Sequence, residues 1–401
     1  MTRVRTITDA EVVPYFHAVV TGFSGHMSDD DIELRRPHMD LDRTHAAFDD
    51  DGAIVGTARS FATELTVPGG SVSAGAVTQV TVMPTHRRRG ILTGIMEAQL
   101  DDIAAREEPV AILIASESTI YGRFGYGPAT WSATVEVDTG RGRFAERPAG
   151  TGELRLVDRH EIRKAAPPIY ERHRLEQPGA IERSDWVWDT ILAVVQTAFN
   201  KDAQSAFHVL HPDGWMSYRI EERWEERHPQ STLKVIDLVA LSPEAYAALW
   251  CHAIGHDLVV KVVADDRPEI EPLPWLLGDR RRAQQRGRSD FLWARLLDVP
   301  AALTARTYGA EDRLVIEVVD AFRPTSGRRF RLDSGDGTCT TTSDEPDLTV
   351  STAALGAAYL GGTPLWPAAA SGSVQEHTDG AVARADRLFA QQPPPWCNTW
   401  F

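Results

Sequence analysis

Two short segments of this 401-residue chain hold residues whose types and spacing can do chemistry. The first is Arg87-Arg88-Arg89-Gly90-Ile91-Leu92-Thr93, placed where a strand-like run gives way to a helix-like one. A helix amino terminus leaves backbone N–H groups unpaired and carries positive dipole potential, which suits it to a pyrophosphate. Gly90 allows close approach of a phosphate to the backbone, and the arginines add fixed charge and fork-shaped donors. Three arginines at one helix start repel each other and the dipole unless an anion sits there. The alternative is a solvated basic helix start paired with acids of this chain. The second segment is Ser116-Glu117-Ser118-Thr119-Ile120-Tyr121-Gly122-Arg123-Phe124-Gly125-Tyr126. It offers one phenol followed by glycines and further aromatics, the latter reading as core.

These segments need elements to position them. Ala53 to Phe61 and Gly75 to Val82 read as strands, β-branched and bounded by Gly and Asp. Ile91, Leu92, Ile95, Met96, Leu100 and Ile103 recur at helical spacing, and the run from Val110 to Ala115 is apolar and of strand length. Strand, helix and strand, with both strands apolar, make a βαβ unit in a largely buried sheet. A second cycle starts near Gly152. It has strands at Ser205 to Leu210, Trp215 to Ile220 and Leu233 to Leu241, a helix from Ser242 to about His256, and a strand at Leu258 to Val263. Val80-Thr81-Val82-Met83-Pro84 and Val239-Ala240-Leu241-Ser242-Pro243 are both strand ends running through proline into an amphipathic helix, a weak internal duplication. The basic run Asp279 to Arg288 reads as a solvated face or linker. From Phe291 onward the pattern is helix (Val299 to Tyr308), strands (Arg313 to Val319, Arg328 to Asp333, Thr338 to Thr342) and helices (Thr352 to Leu360, Gly380 to Ala390). The fold class expected is α+β, mixed α/β.

Composition narrows the function classes. Lysine plus arginine number 42 against 57 acidic residues, a net charge of −15 that disfavours nucleic acid and membrane surfaces. An acidic field favours cationic small molecules, although solubility alone accounts for it as well. Cys251, Cys339 and Cys397 are far apart and form no CxxC pair, so neither a disulfide framework nor a zinc cluster is indicated. Asp9 and Glu11 interrupt the stretch a signal peptide would need, and no run of about 18 apolar residues exists. A reducing, cytoplasmic compartment is expected, with no metal.

Arginine, two residues and glycine after a strand, then Tyr-x-x-x-Gly-aromatic after the next strand, resembles the GCN5-related N-acetyltransferase superfamily. In that superfamily the first segment cradles the pyrophosphate of acetyl-CoA and the tyrosine protonates the departing thiolate. Val82-Met83-Pro84-Thr85-His86-Arg87-Arg88-Arg89-Gly90, with Ile120-Tyr121-Gly122-Arg123-Phe124-Gly125-Tyr126-Gly127-Pro128-Ala129-Thr130, is similar to the enhanced intracellular survival (Eis) family. That resemblance implies three domains: a catalytic acetyltransferase domain over 1–150, a degenerate copy over 151–290, and a sterol-carrier-like domain over 291–401 whose tail reaches the active site.

The resemblance also implies roles. Val80, Thr81 and Val82 would line the thioester with backbone N–H groups as an oxyanion hole. Arg87, Arg88, Arg89, Gly90, Ile91, Leu92 and Thr93 would hold the pyrophosphate, with Ser116 and Glu117 nearby. Tyr121 would be the general acid, a phenol well matched to return a proton to a thiolate. The terminal carboxylate of Phe401 would be the general base, burial raising a carboxylate toward a usable range. In the copy, aligning Pro243 with Pro84 puts Tyr246, Ala247, Ala248 and Leu249 where Arg87 to Gly90 stand, so one acetyl-CoA per chain is expected. Implied acceptors are polyamines or aminoglycosides, by direct transfer, in a homohexamer. A lysine acetyltransferase of proteins or peptides, and a non-catalytic acetyl-CoA or lipid carrier, stay open as alternatives. The chain departs from the family at Trp400, where an acidic residue can stand, and over Phe23 to Met27, which has none, although Asp29, Asp30, Asp31 and Glu33 follow.

Overall fold

The computed structural model describes residues 2–139, 153–197, 200–324 and 328–401; the domain boundary expected at 150 lies outside them. The chain divides into two compact units. The first comprises Met1–Thr130, Asp290–Gln392 and Trp400–Phe401, the second Trp131–Ser289 and Pro393–Thr399.

In the first unit the chain runs β1 (Arg3–Thr6), α1 (Val12–Gly22), α2 (Asp29–Arg35), β2 (Thr44–Phe48), β3 (Ile54–Val67), β4 (Gly70–Val82), α3 (Ile91–Ala105) and β5 (Val110–Ile114). The strands form one sheet in the order β1-β2-β3-β4-β5, extended by Leu292–Leu296 and Gly127–Pro128. The expected βαβ unit is there: α3 crosses from β4 to the parallel β5, burying Ile91, Ile95, Met96, Leu100 and Ile103. Parallel pairing of β4 with β5 covers only Ala74–Val77 against Val110–Leu113. Beyond Val77, β4 continues to Val82 without β5, so the two strands splay at their carboxyl ends. The strand Leu292–Leu296, which the sequence pattern does not announce, runs antiparallel to β5 and fills the sheet beyond it.

The same unit contains a five-stranded sheet in the order Thr338–Thr341, Arg328–Asp333, Arg313–Val319, Leu348–Ser351 and Val374–Glu376. Helices Thr352–Ala358 and Ala381–Phe389 accompany it. Both end near the buried Arg306, which donates to the Tyr359 carbonyl and, at 3.0 Å, to the Phe389 carbonyl. One guanidinium thus satisfies carbonyls at two helix carboxyl ends, where a cation also complements the dipole.

The second unit repeats the theme. Strands Ser231–Ala240 and Val259–Pro268 are parallel and joined by helix Pro243–Ile254. Its sheet continues through Trp131–Asp138, which pairs antiparallel with Val259–Pro268 although it directly follows the first domain's motif in sequence. The basic run is not a linker: Ala283–Asp290 is an exposed edge strand beside Trp131–Asp138. Charged side chains there guard the open edge. An 18-residue helix, Arg159–Glu176, which the sequence pattern does not announce, carries Pro167 and Pro168 inside it. Tail residues 393–399 dock in this unit. The fully buried Arg183 donates to Asp237 at 2.8 Å, the Thr399 hydroxyl at 2.9 Å and the Asn398 carbonyl at 3.0 Å. Among the described residues no helix is long and apolar enough to cross a membrane.

Candidate active site

The splay between β4 and β5 opens a cavity of about 540 Å³ in the first unit, lined by Val80, Thr81, Val82, Arg87, Arg88, Gly90, Ile91, Leu92, Thr93, Ser116, Glu117 and Tyr121 among others. Its geometry follows from local backbone choices. Gln79 has φ 56°, and the β3–β4 register shifts between Thr57 and Arg59. The Thr57 hydroxyl pins this bulge by donating to the Gln79 carbonyl at 2.8 Å. A bulge re-aims the strand that follows it, and here that strand is Val80–Val82.

Gly90 precedes α3 with φ 78° and ψ 0°, and no side chain caps the first turn. A Cβ at Gly90 would meet nothing within 4 Å, so the space over the helix start is open. Arg88 also lies in the left-handed region, at φ 64°. Uncapped N–H groups, an open approach and two arginines on the rim fit the diphosphate of acetyl-CoA. Arg89 faces elsewhere: it lines a neighbouring cavity with His86, Asp49 and Asp50, and donates to the Thr85 carbonyl at 3.1 Å.

Tyr121 ends the short helix Ser118–Tyr121 and is 4 % exposed. Burial first, and the Glu117 carboxylate second, push its hydroxyl up to about 12. The ring packs in a cluster with Phe124, Tyr126, Leu113, Met96 and Trp293, which makes Phe124 and Tyr126 core residues. Phe401 is not among the residues lining the cavity; its ring meets Phe61 of β3 edge-on at 5.5 Å, and Trp400 meets Phe291 at 5.0 Å. The cavity wall also includes Gly22, Phe23, His86, Ile120 and Arg123, to which the sequence analysis assigns no role. His86, Ile120 and Arg123 stand inside the two motif stretches, and Phe23, 55 % exposed just beyond α1, opens the stretch Phe23 to Met27.

In the second unit the equivalent helix start is closed. The Ser242 hydroxyl accepts from the Ala245 N–H at 3.2 Å, so its own cap occupies the place an anion would take. Ala247, Ala248 and Leu249 are buried in the core. Among the described residues no group of three or more His, Cys, Asp or Glu is placed to hold a metal ion.

A parallel strand pair splayed around an uncapped helix start is a site for a phosphate-bearing cofactor, as the acetyltransferase resemblance leads one to expect. Comparison with known proteins agrees. Residues 3–129 and 179–299 each match an acetyltransferase (GNAT) domain family, and residues 299–398 match a sterol carrier protein domain family. An N-acetyltransferase of Streptomyces griseus is 38% identical, covering 99% of both chains. N-acetyltransferase Eis of Mycobacterium tuberculosis is 38% identical over 85% of this chain and 84% of its own. The crystal structure of Eis1 from Mycobacterium abscessus covers 100% of both chains with a TM-score of 0.88 and 37% identity. The chain belongs to the Eis family of GCN5-related N-acetyltransferases. It is therefore an N-acetyltransferase with two GNAT domains and a sterol-carrier-like third domain, and enzymes of this class use acetyl-CoA.

Proposed function

We propose that this enzyme acetylates amines of polycationic small molecules, aminoglycosides among them, by direct transfer in a single site. The observation that carries the reading is the one cavity in which Val80–Val82, the open start of α3 and Tyr121 converge. Acetyl-CoA supplies the acyl thioester. Arg87, Arg88 and the N–H groups over Gly90 to Thr93 bind its diphosphate, with Arg89 adding charge from the adjoining cavity and Ser116 and Glu117 flanking the cofactor. Backbone N–H groups of Val80–Val82, on a strand edge without β5, take the oxyanion. Tyr121, protonated at neutral pH, delivers a proton to the leaving sulfur. The terminal carboxylate of Phe401 takes a proton from the substrate ammonium and so frees the amine lone pair that attacks the thioester carbonyl; Phe401 lies in the same compact unit as Tyr121. The chain's net charge of −15 and the run Asp29-Asp30-Asp31 at the start of α2 favour a polycation. Domain limits of 1–150, 151–290 and 291–401, a homohexamer and a cytoplasmic setting complete the reading.

A short peptide appended after Phe401 tests the base directly. Transfer to kanamycin should fall by about 100-fold or more, the range for loss of general-base catalysis, with acetyl-CoA binding and folding retained. A tagged enzyme with normal turnover would remove the terminal carboxylate from the mechanism.

A further inference from the structure

The general acid sits on a turn rather than on a long element, so something must hold that turn still. Tyr121 is followed by the tight turn Gly122–Phe124, in which the Gly125 N–H donates to the Gly122 carbonyl at 3.0 Å and the Tyr126 N–H to the Tyr121 carbonyl at 3.3 Å. The carbonyl that ends the turn, that of Phe124, accepts from Arg295. Arg295 stands on Leu292–Leu296, the strand beside β5, and is 1 % exposed. Its second terminal nitrogen donates at 2.6 Å to Asp320, itself 4 % exposed, in the sterol-carrier-like domain.

Asp320 is fixed in turn. Its other carboxylate oxygen accepts from the N–H groups of Phe322 and Arg323 at 3.0 and 2.8 Å. The loop so shaped touches the two elements that carry the site, the turn after Tyr121 and α3. Phe322 packs edge-on against Phe124 at 5.0 Å, and Arg323 forms an ion pair with Asp101 on α3, the helix whose start faces the cavity. Gly125 has φ 82°, and a Cβ there would overlap the Arg295 guanidinium and approach the Thr352 hydroxyl. The turn is therefore enclosed by groups contributed from distant parts of the sequence.

We infer that Arg295 and Asp320 are positioning residues for Tyr121, and that the sterol-carrier-like domain serves acetyl transfer by clamping the turn that carries the general acid. The inference rests on the reading of Tyr121 given above. A buried ion pair contributes little net stability against an apolar replacement, because desolvating both charges offsets their attraction. Its forked geometry instead fixes orientation: Arg295 reaches a carboxylate and a carbonyl with two nitrogens of one rigid plane, which a lysine cannot do.

The test is a double-mutant cycle between Arg295→Lys and Tyr121→Phe, read as kcat and KM for acetyl-CoA and kanamycin. Arg295→Lys keeps a cation beside Asp320 but loses the fork. It should lower kcat about tenfold or more, in keeping with the cost of small misplacements, and leave both KM values within about twofold. In the Tyr121→Phe background the same change should cost less than about twofold, because the group it positions is gone. Phe322→Leu, which removes the ring edge against Phe124 without touching a buried charge, should repeat the pattern more weakly, and decides the matter if Arg295→Lys does not fold. Wild-type kcat in the folded single variants, or an equal loss in both backgrounds, would overturn the clamp while leaving Tyr121 as the acid. A Tyr121→Phe enzyme at full rate would remove both.

Discussion

At the scale of single residues, the site depends on which protons and charges are available at neutral pH. Burial disfavours the charged form of Tyr121, and Glu117 disfavours it further, so the hydroxyl is pushed up to about 12 and is lost only as pH rises through that value. Tyr121 is therefore protonated across the working range. The expected pH profile of kcat has no alkaline limb from this group below about pH 10; a limb near 8 that vanishes in Tyr121→Phe would contradict that ionisation. Sequence singled out this tyrosine through its glycine-aromatic spacing, and it marked Arg87 and Arg88. It could not separate Arg89 from them, since a run of three like side chains carries no record of which way each one points. That depends on Arg88 turning into the left-handed region, which is a property of the backbone.

At the scale of elements, two helices of equal topology differ in how they begin. α3 starts at Gly90 with no side-chain cap, whereas Pro243–Ile254 is capped by Ser242. Gly90→Ala creates no clash but places a side chain at φ 78°, at a cost of about 1 kcal/mol, and narrows the open face over the helix start. KM for acetyl-CoA should rise severalfold with a small loss in melting temperature. Ser242→Ala should cost about 1 kcal/mol as well, but leave kcat and KM unchanged. A rise in KM from Ser242→Ala would give the second domain a part in cofactor binding. Periodicity made α3 legible because one face of it is buried at helical spacing, and β5 was legible as a continuous apolar run because it is buried on both faces. Helix Arg159–Glu176 escaped because Pro167-Pro168 is a breaker signal. The helix persists around it because Ile162, Ala166, Ile169 and Tyr170 are buried on one side.

At the scale of the molecule, the order of segments in the chain is not their order in the sheets. Trp131–Asp138 belongs to the second sheet and Leu292–Leu296 to the first. An apolar alternation announces a strand but not its neighbour, and this exchange is decided by pairing partners far away in sequence, so the sequence alone leaves it unread. The tail shows the same limit: the resemblance implies only that it reaches the active site, and the structure reveals the buried Arg183 that receives residues 398 and 399. Arg183→Ala leaves Asp237, 8 % exposed, without its cation, and should destabilise the protein by about 3–5 kcal/mol, read as urea or thermal unfolding. An unchanged melt would mean that the tail, and not the ion pair, holds this region.

We propose that the cavity around Tyr121 transfers acetyl groups to polycationic amines. The most direct measurement is thiol release from acetyl-CoA with kanamycin, in the wild-type protein and in Tyr121→Phe. The expected result is amine-dependent release that falls by about 100-fold in the variant while acetyl-CoA still binds, the size associated with losing a general acid. No release above background with any of a panel of polyamines, or equal turnover in the two proteins, would contradict it.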